Sequence, residues 1–228
     1  MNRITAAQLA AAVGMGDEAA ALWLAPVNEA GQDCALNTPA RWALWLAQCG
    51  HESKGFTRLG ESFDYSPQRL LAVFPRYFTP ELAERLGRTA KQPAKQPEIA
   101  EVTYGSRMGN RPGSGDGWAY RGGGLPQLTG RDNYIAAGKH LGLDLLAEPD
   151  LIRTSRRYAA KVTSYVWDVH GLNKYADKGD LLGASQAING SKKPNGMEDR
   201  TARHNRALAV LGISAAAELE RILGRRIS

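Results

Sequence analysis

Apolar side chains recur at three- and four-residue intervals in several stretches of the chain, which is the spacing of amphipathic helices. Trp42, Trp45, Leu46 and Cys49 form one such stripe, predicting a helix of roughly three to four turns. It opens at Thr38-Pro39, where a hydroxyl can cap the first turn and proline suits the first helical position. Ser66-Pro67 and Thr79-Pro80 repeat that start signal. After Pro149, the residues Ile152, Tyr158, Ala159, Val162, Tyr165 and Val166 share an apolar side, predicting a helix that ends near His170-Gly171. Ala202, Leu208, Val210 and Leu211 predict another, closing at Gly212. Residues 215–228 begin with a short helical pattern and end in a basic tail.

Between about Lys91 and Gly130 the helical period fails. Lys91-Gln92-Pro93 and Lys95-Gln96-Pro97 read as a loop, and Asn110–Gly117 and Gly122-Gly123-Gly124 are glycine-rich with aromatics interleaved. Residues 91–130 therefore predict short extended pieces and a hairpin. The fold class expected is mainly α, and no shift in composition divides residues 1–228 into independent domains.

Composition narrows the function classes. Over 228 residues, 43% hydrophobic and 23% charged side chains fit an ordered globular chain. The net charge of +6 favours a polyanionic partner such as nucleic acid, acidic lipid or a cell-wall polymer. Cys34 and Cys49 make no disulfide framework and read as free thiols. No stretch approaches the ~20 apolar residues of a membrane span. The start, Met1-Asn2-Arg3-Ile4-Thr5, lacks the pattern of a secretory leader. The expected location is the cytoplasm of the cell that makes the protein.

Two carboxylates stand out. Glu52 lies three residues after Cys49 and seven after Trp45, beside the apolar stripe and at the negative end of the helix dipole. Both surroundings favour the neutral form, as a general acid requires. The bland alternative is a glutamate at the edge of the stripe that pairs with an arginine. Glu61 stands in a loop, where a carboxylate stays ionised and can orient water, or is simply a surface charge. Such a pair is the minimum for glycosidic-bond hydrolysis. Thr129 either caps the following helix, with Asp132 as its box partner, or holds the attacking water. Ile188-Asn189-Gly190 offers an amide suited to an N-acetyl group, and Asp199-Arg200 with Arg203 supplies basic side chains. HExxH fails because Gly55 stands where the second histidine belongs, and no GxGxxG, GxxxxGK[ST] or GxSxG pattern occurs. No metal or cofactor is expected.

The order of these motifs is more specific than any one of them. Ala47-Gln48-Cys49-Gly50-His51-Glu52-Ser53 followed by Glu61-Ser62-Phe63-Asp64-Tyr65-Ser66 resembles the signature of glycoside hydrolase family nineteen. Tyr104, Arg107–Asn110, Gly115–Trp118, Tyr120-Arg121-Gly122, Gln127–Tyr134, Ile188-Asn189-Gly190, Asn195-Gly196 and Asp199-Arg200 continue it. The resemblance runs from Thr38 to Leu211. It departs at Gly123, where the family has arginine, and at Ser191-Lys192-Lys193, which replaces a second glycine with an insertion.

The resemblance implies a lysozyme-like, two-lobed fold with a small hairpin section lining a central cleft, as one catalytic domain. It implies an inverting mechanism, which needs roughly 6.5–9.5 Å between the carboxylates to admit a water. Carried onto matching positions, Glu52 is the general acid, Glu61 the general base, and Thr129 helps hold the water. Gln127, Asn133, Tyr134 and Asn189 line sugar subsites, and Arg200 matches an arginine near the acid. The family holds plant-type chitinases and, with threonine in place of their serine, phage endolysins, and this chain is similar to the second branch. The expected activity is hydrolysis of the β-1,4 bond of peptidoglycan, by a monomer released through a separate holin-type partner. The alternatives are a chitinase, or a non-catalytic wall- or nucleic-acid-binding module that would use Arg200, Arg203 and Lys192-Lys193. A cationic C-terminal tail, Leu219–Ile227, is weighed as a contact for outer-membrane lipid against a terminal helix packed on the body.

Overall fold

Each of the three hydroxyl-proline signals starts a helix. The Thr38, Ser66 and Thr79 hydroxyls accept from the backbone N–H groups of Arg41, Arg69 and Leu82 at 3.2, 3.3 and 3.2 Å. Each following proline occupies the first turn, where an N–H would have no helical partner. The computed structural model describes residues 3–213. Its helices in chain order are α1 (Ala6–Val13), α2 (Asp17–Asp33), α3 (Pro39–Glu52), α4 (Pro67–Val73), α5 (Pro80–Leu86), α6 (Gln96–Tyr104) and α7 (Asp116–Ala119). They continue as α8 (Arg131–Leu141), α9 (Leu151–Thr154), α10 (Arg156–Lys161), α11 (Thr163–Val169), α12 (Asn173–Ala176), α13 (Leu181–Asn189) and α14 (Met197–Val210). The fold is mainly α, and the β content among the described residues is two isolated antiparallel bridges, Gly60 with Gly123 and Gly123 with Leu128. No helix among the described residues is long and apolar enough to cross a membrane.

The chain forms two compact units. Of the described residues, the first contains those up to Leu59, Gly124–Pro126 and those from Thr154 onward. Its centre is α3, whose Trp42, Leu44, Trp45 and Leu46 are all buried, so this helix is apolar on every side and packed on every side. Phe56 meets Trp23 and Trp45 edge-on, with ring centroids 5.2 and 6.1 Å apart. The turn that drives Phe56 inward is sharp. Lys54 and Phe56 both take left-handed φ, +51° and +67°, and the Ser53 hydroxyl holds the turn by donating to Cys49 O at 2.6 Å and accepting from Phe56 N at 3.0 Å. That turn fixes Glu52 as the last residue of α3. Cys34 and Cys49 are buried free thiols, and burial pushes Cys34 up to about 12.

The second unit contains Gly60–Gly123 and Gln127–Arg153. Its core gathers Phe63, Leu70, Phe78, Leu86 and Ile99. The glycine-rich 110–117 segment has no apolar pattern and is held by charge instead. Glu101 accepts from the N–H groups of Gly113 and Gly117 at 2.8 and 3.1 Å, and Asp116 accepts from Arg111 N and Nε at 3.0 and 2.9 Å. The Arg111 hydrogen bonds hold the Asp116 carboxyl down at about 2. A lowered folded value stabilises above the unfolded pKa of about 3.9 and is lost as pH falls toward 2. Allowing for screening at exposed Arg111, the contribution is about 1–2 kcal/mol. Asp116→Asn is expected to remove that part of the stability at pH 6 and to flatten the loss between pH 4 and 2. Urea unfolding across that range checks it, and parallel curves for the two proteins refute it.

Three expectations are corrected. The single helix after Pro149 is three short ones, because Ser155 is extended (φ −105°, ψ 120°). The Thr163 and Ser164 hydroxyls then take the carbonyls of Ala160 and Lys161 at 2.6 and 2.9 Å, perturbing the next joint. Part of the 91–130 section is the helix α6, which starts at the second Lys-Gln-Pro with no side-chain cap to announce it. Thr129 does not cap α8. Gly130 stands at the cap position, and the first N–H groups go to Asn110 Oδ1 (2.8 Å) and Met108 O (3.1 Å). The expected C-terminal helix and tail, 215–228, lie outside the described residues.

Candidate active site

Glu52 is reached from the C-terminal turn of α3 and met by Arg200 in the first turn of α14. The Arg200 guanidinium is 1% exposed and spreads over three acceptors. Its two terminal nitrogens donate to Gln48 Oε1 and Glu52 Oε1, and Nε donates to Asn195 O at 3.2 Å. Gln48 and Glu52 are one turn apart on α3, so a single planar guanidinium bridges both. Gln48 donates to Ser185 Oγ on α13 at 2.9 Å, and that hydroxyl donates to Leu181 O at 2.7 Å. Nearby, Asp199 takes His51 Nδ1 at 2.7 Å and Arg203 Nε at 2.8 Å. The bland alternative for Glu52, pairing with an arginine, is therefore what the structure shows. That pairing is compatible with acid chemistry, because a guanidinium stabilises the carboxylate left after the proton departs.

Glu61 belongs to the second unit, and its carboxylate is clasped from two sides. Tyr104 donates its hydroxyl to Oε1 at 3.0 Å, and the Gly122 N–H donates to Oε2 at 3.1 Å. The Glu61 backbone N–H donates to Gly122 O at 2.8 Å, so the same glycine grips both ends of the residue. Burial first, then the Glu61 charge, pushes Tyr104 up from its ordinary value, which keeps it a donor.

The bare Cα of Gly122 brings two expected site residues together. A Cβ there would sit 3.0 Å from Gln127 Oε1 and 3.1 Å from Glu61 Oε2. Gln127 itself holds left-handed φ of +53°, a strained conformation of the kind that collects at functional sites. Its carbonyl accepts from the Thr129 hydroxyl at 3.0 Å, and Thr129 O accepts from Asn133 Nδ2 at 2.8 Å. The Thr129 oxygen retains acceptor capacity. Gly122→Ala is expected to fold, push the Glu61 carboxylate aside and lower turnover about ten- to a hundredfold through misplacement alone. A variant with wild-type kcat would show that the carboxylate's position is immaterial.

Tyr134 lies in the second unit. Expected against a sugar, it is fully buried, donating to Arg121 O at 2.8 Å and accepting from Arg153 at 2.6 Å. Its hydroxyl fixes the turn that runs from α7 to Gly122. Asn189 is exposed at the last residue of α13, one position after Ile188, which lines the space beside Glu52. Gln48, Ser185, Asn195 and Tyr104 were not given roles by sequence reasoning. Gln48, Tyr104 and Asn195 stand within the ordered motifs, and Gln48 also has its four-residue spacing from Glu52; Ser185 arrives through a long-range contact alone.

No family model matches the chain. It is 40% identical over 160 residues to a glycosyl hydrolase family 19 domain-containing protein of Haemophilus influenzae, covering 69% of this chain and 74% of that one. An endochitinase of Arabidopsis thaliana is 33% identical over 127 residues, 54% of this chain but 44% of its own length. Among solved structures, chitinase C of Streptomyces griseus superposes with a TM-score of 0.59 at 20% identity, over 92% of this chain and 77% of the other, which shows a shared fold. Extended identity across most of the Haemophilus relative, with both glutamates held in polar clasps, places this chain in glycosyl hydrolase family 19 as a glycoside hydrolase.

Proposed function

We propose that the chain is an endolysin-type enzyme cleaving the β-1,4 bond between N-acetylmuramic acid and N-acetylglucosamine in peptidoglycan. The reading of the chemistry is carried by one observation, the buried Arg200 guanidinium on Glu52. Glu52 donates its proton to the leaving oxygen, and Arg200 stabilises the carboxylate that forms. Glu61, fixed by Tyr104 and Gly122, takes a proton from the attacking water, whose other hydrogen the Thr129 oxygen accepts. The route is inverting, and proton exchange with solvent resets both residues. Gln127, Asn133 and Asn189 contact the sugars.

The preference for peptidoglycan is supported by charge. The first unit carries seventeen Lys and Arg against twelve Asp and Glu in sequence, and peptidoglycan bears peptide carboxylates where chitin is neutral. In this reading the enzyme is a monomer that needs no cofactor, stays in the host cytoplasm until a holin-type partner releases it, and has no nucleic-acid partner. The second reading, a chitinase, is favoured by the chitinases among its relatives. Digesting purified peptidoglycan and chitin oligomers, with mass spectrometry of the new reducing ends, decides between them. Muramic acid ends are expected. Fragments from chitin alone would overturn the proposal.

A further inference from the structure

Several surface cations of the first unit lie on carboxylates. Arg41 lies on Asp177, Arg157 on Glu29, Lys161 on Asp33 and Arg203 on Asp199. Lys192 and Lys193 are both exposed and, like Lys174 and Lys178, meet no carboxylate among the described residues; what sets them apart is where they stand. They sit in the 190–196 connection between α13 and α14.

This connection is built rather than loose. Gln186 Nε2 donates to Lys192 O at 3.0 Å, and the Ser191 hydroxyl accepts from Lys193 N at 3.1 Å and donates to Lys193 O at 3.2 Å. Pro194 is buried. Its far end is tied to the acid: Asn195 O accepts from the same guanidinium that holds Glu52, and Gly196 packs so closely on His51 that a Cβ would lie 2.1 Å from Cε1. Its near end follows Asn189 and Ile188, beside Glu52. Two ammonium groups with no carboxylate partner among the described residues are thus mounted on a tethered loop that follows Ile188, which lines the space beside Glu52, and ends at Asn195, which shares the Arg200 guanidinium with Glu52.

We infer that Lys192 and Lys193 form a specificity element that binds the carboxylates of peptide-substituted glycan and favours that polymer over neutral chitin. The inference rests on the glycan-hydrolysis reading of the Glu52 site and names the feature of the substrate that this loop reads. An exposed charge pair of this kind contributes about threefold, so two lysines together account for about tenfold in kcat/KM. The effect is screened by salt, with a Debye length of about 10 Å at 0.1 M.

The test compares the whole chain with Lys192→Ala/Lys193→Ala on three substrates: native peptidoglycan sacculi, the same sacculi with their carboxyls amidated, and chitin oligomers. The double variant is expected to lose about tenfold in kcat/KM on native sacculi at low salt, with the loss shrinking severalfold on amidated sacculi and at 0.5 M salt. Lys174→Ala/Lys178→Ala removes equal charge elsewhere in the unit and is expected to change this selectivity less than twofold. Equal losses on native and amidated sacculi, or the same loss from the Lys174/Lys178 pair, would overturn the inference. If the unmodified enzyme cuts chitin but no sacculi, the peptidoglycan reading fails by itself, and salt-sensitive retention on native sacculi then decides the role of the loop. Retention that survives removal of both lysines refutes it, as does their loss weakening duplex DNA binding alone.

Discussion

Glu52→Gln is expected to lower turnover about a thousandfold or more while the protein remains folded. The amide is nearly isosteric with the carboxyl and keeps an oxygen for the Arg200 guanidinium, so the α3–α14 contact survives in shape. It carries no proton acidic enough to deliver to a leaving alkoxide. One consequence separates this variant from a simple surface change: Arg200 is 1% exposed and loses its counter-charge, so the melting temperature should fall by a few degrees. Circular dichroism and thermal melts establish the fold, and fragment release from sacculi or chitin oligomers reports turnover. Near-wild-type turnover in a folded variant would remove Glu52 from the chemistry.

Much of the helical framework was legible because its signals are local. A hydroxyl before a proline needs only its own first turn, and all three such starts stand where the pattern puts them. The stripe of α3 is equally local and places Glu52 at its end. What periodicity missed depends on distant partners. Asn110 supplies the cap that Thr129 was expected to provide, from twenty-one residues away. Ser155 breaks an apolar run that looks continuous, since its extended backbone has no mark in the hydropathy pattern. The candidate site divides in the same way. The glutamates, Arg200, Gln48 and Tyr104 all stand in the ordered motifs, but the roles of Tyr104 toward Glu61 and of Gln48 with Ser185 toward Arg200 depend on contacts across 43 and 137 residues of chain. Tyr134 also belongs to the motif, and its hydroxyl is spent inside the unit on Arg121 and Arg153, which the motif alone does not show.

Removing Arg200 should have the largest effect on stability. Arg200→Met leaves the Glu52 carboxylate without its cation and the Gln48 and Asn195 oxygens without a donor, and deleting one partner of a buried pair typically costs about 3–5 kcal/mol. Glu52 keeps access to water through its 22% exposed side chain, which argues for the lower end, about 3 kcal/mol. Arg200→Lys retains charge but not the flat fork that reaches Gln48, Glu52 and Asn195 together, so it should recover only part of the loss. Adding Glu52→Gln to Arg200→Met removes the stranded charge as well, and the double variant is then expected to be less destabilised than the two single losses summed, by about 1–3 kcal/mol. Urea denaturation of the four proteins in the cycle measures that coupling directly. Strict additivity would mean that the guanidinium braces α14 against α3 without acting on the carboxylate, and the assignment of Arg200 as the group that stabilises ionised Glu52 during catalysis would fall with it.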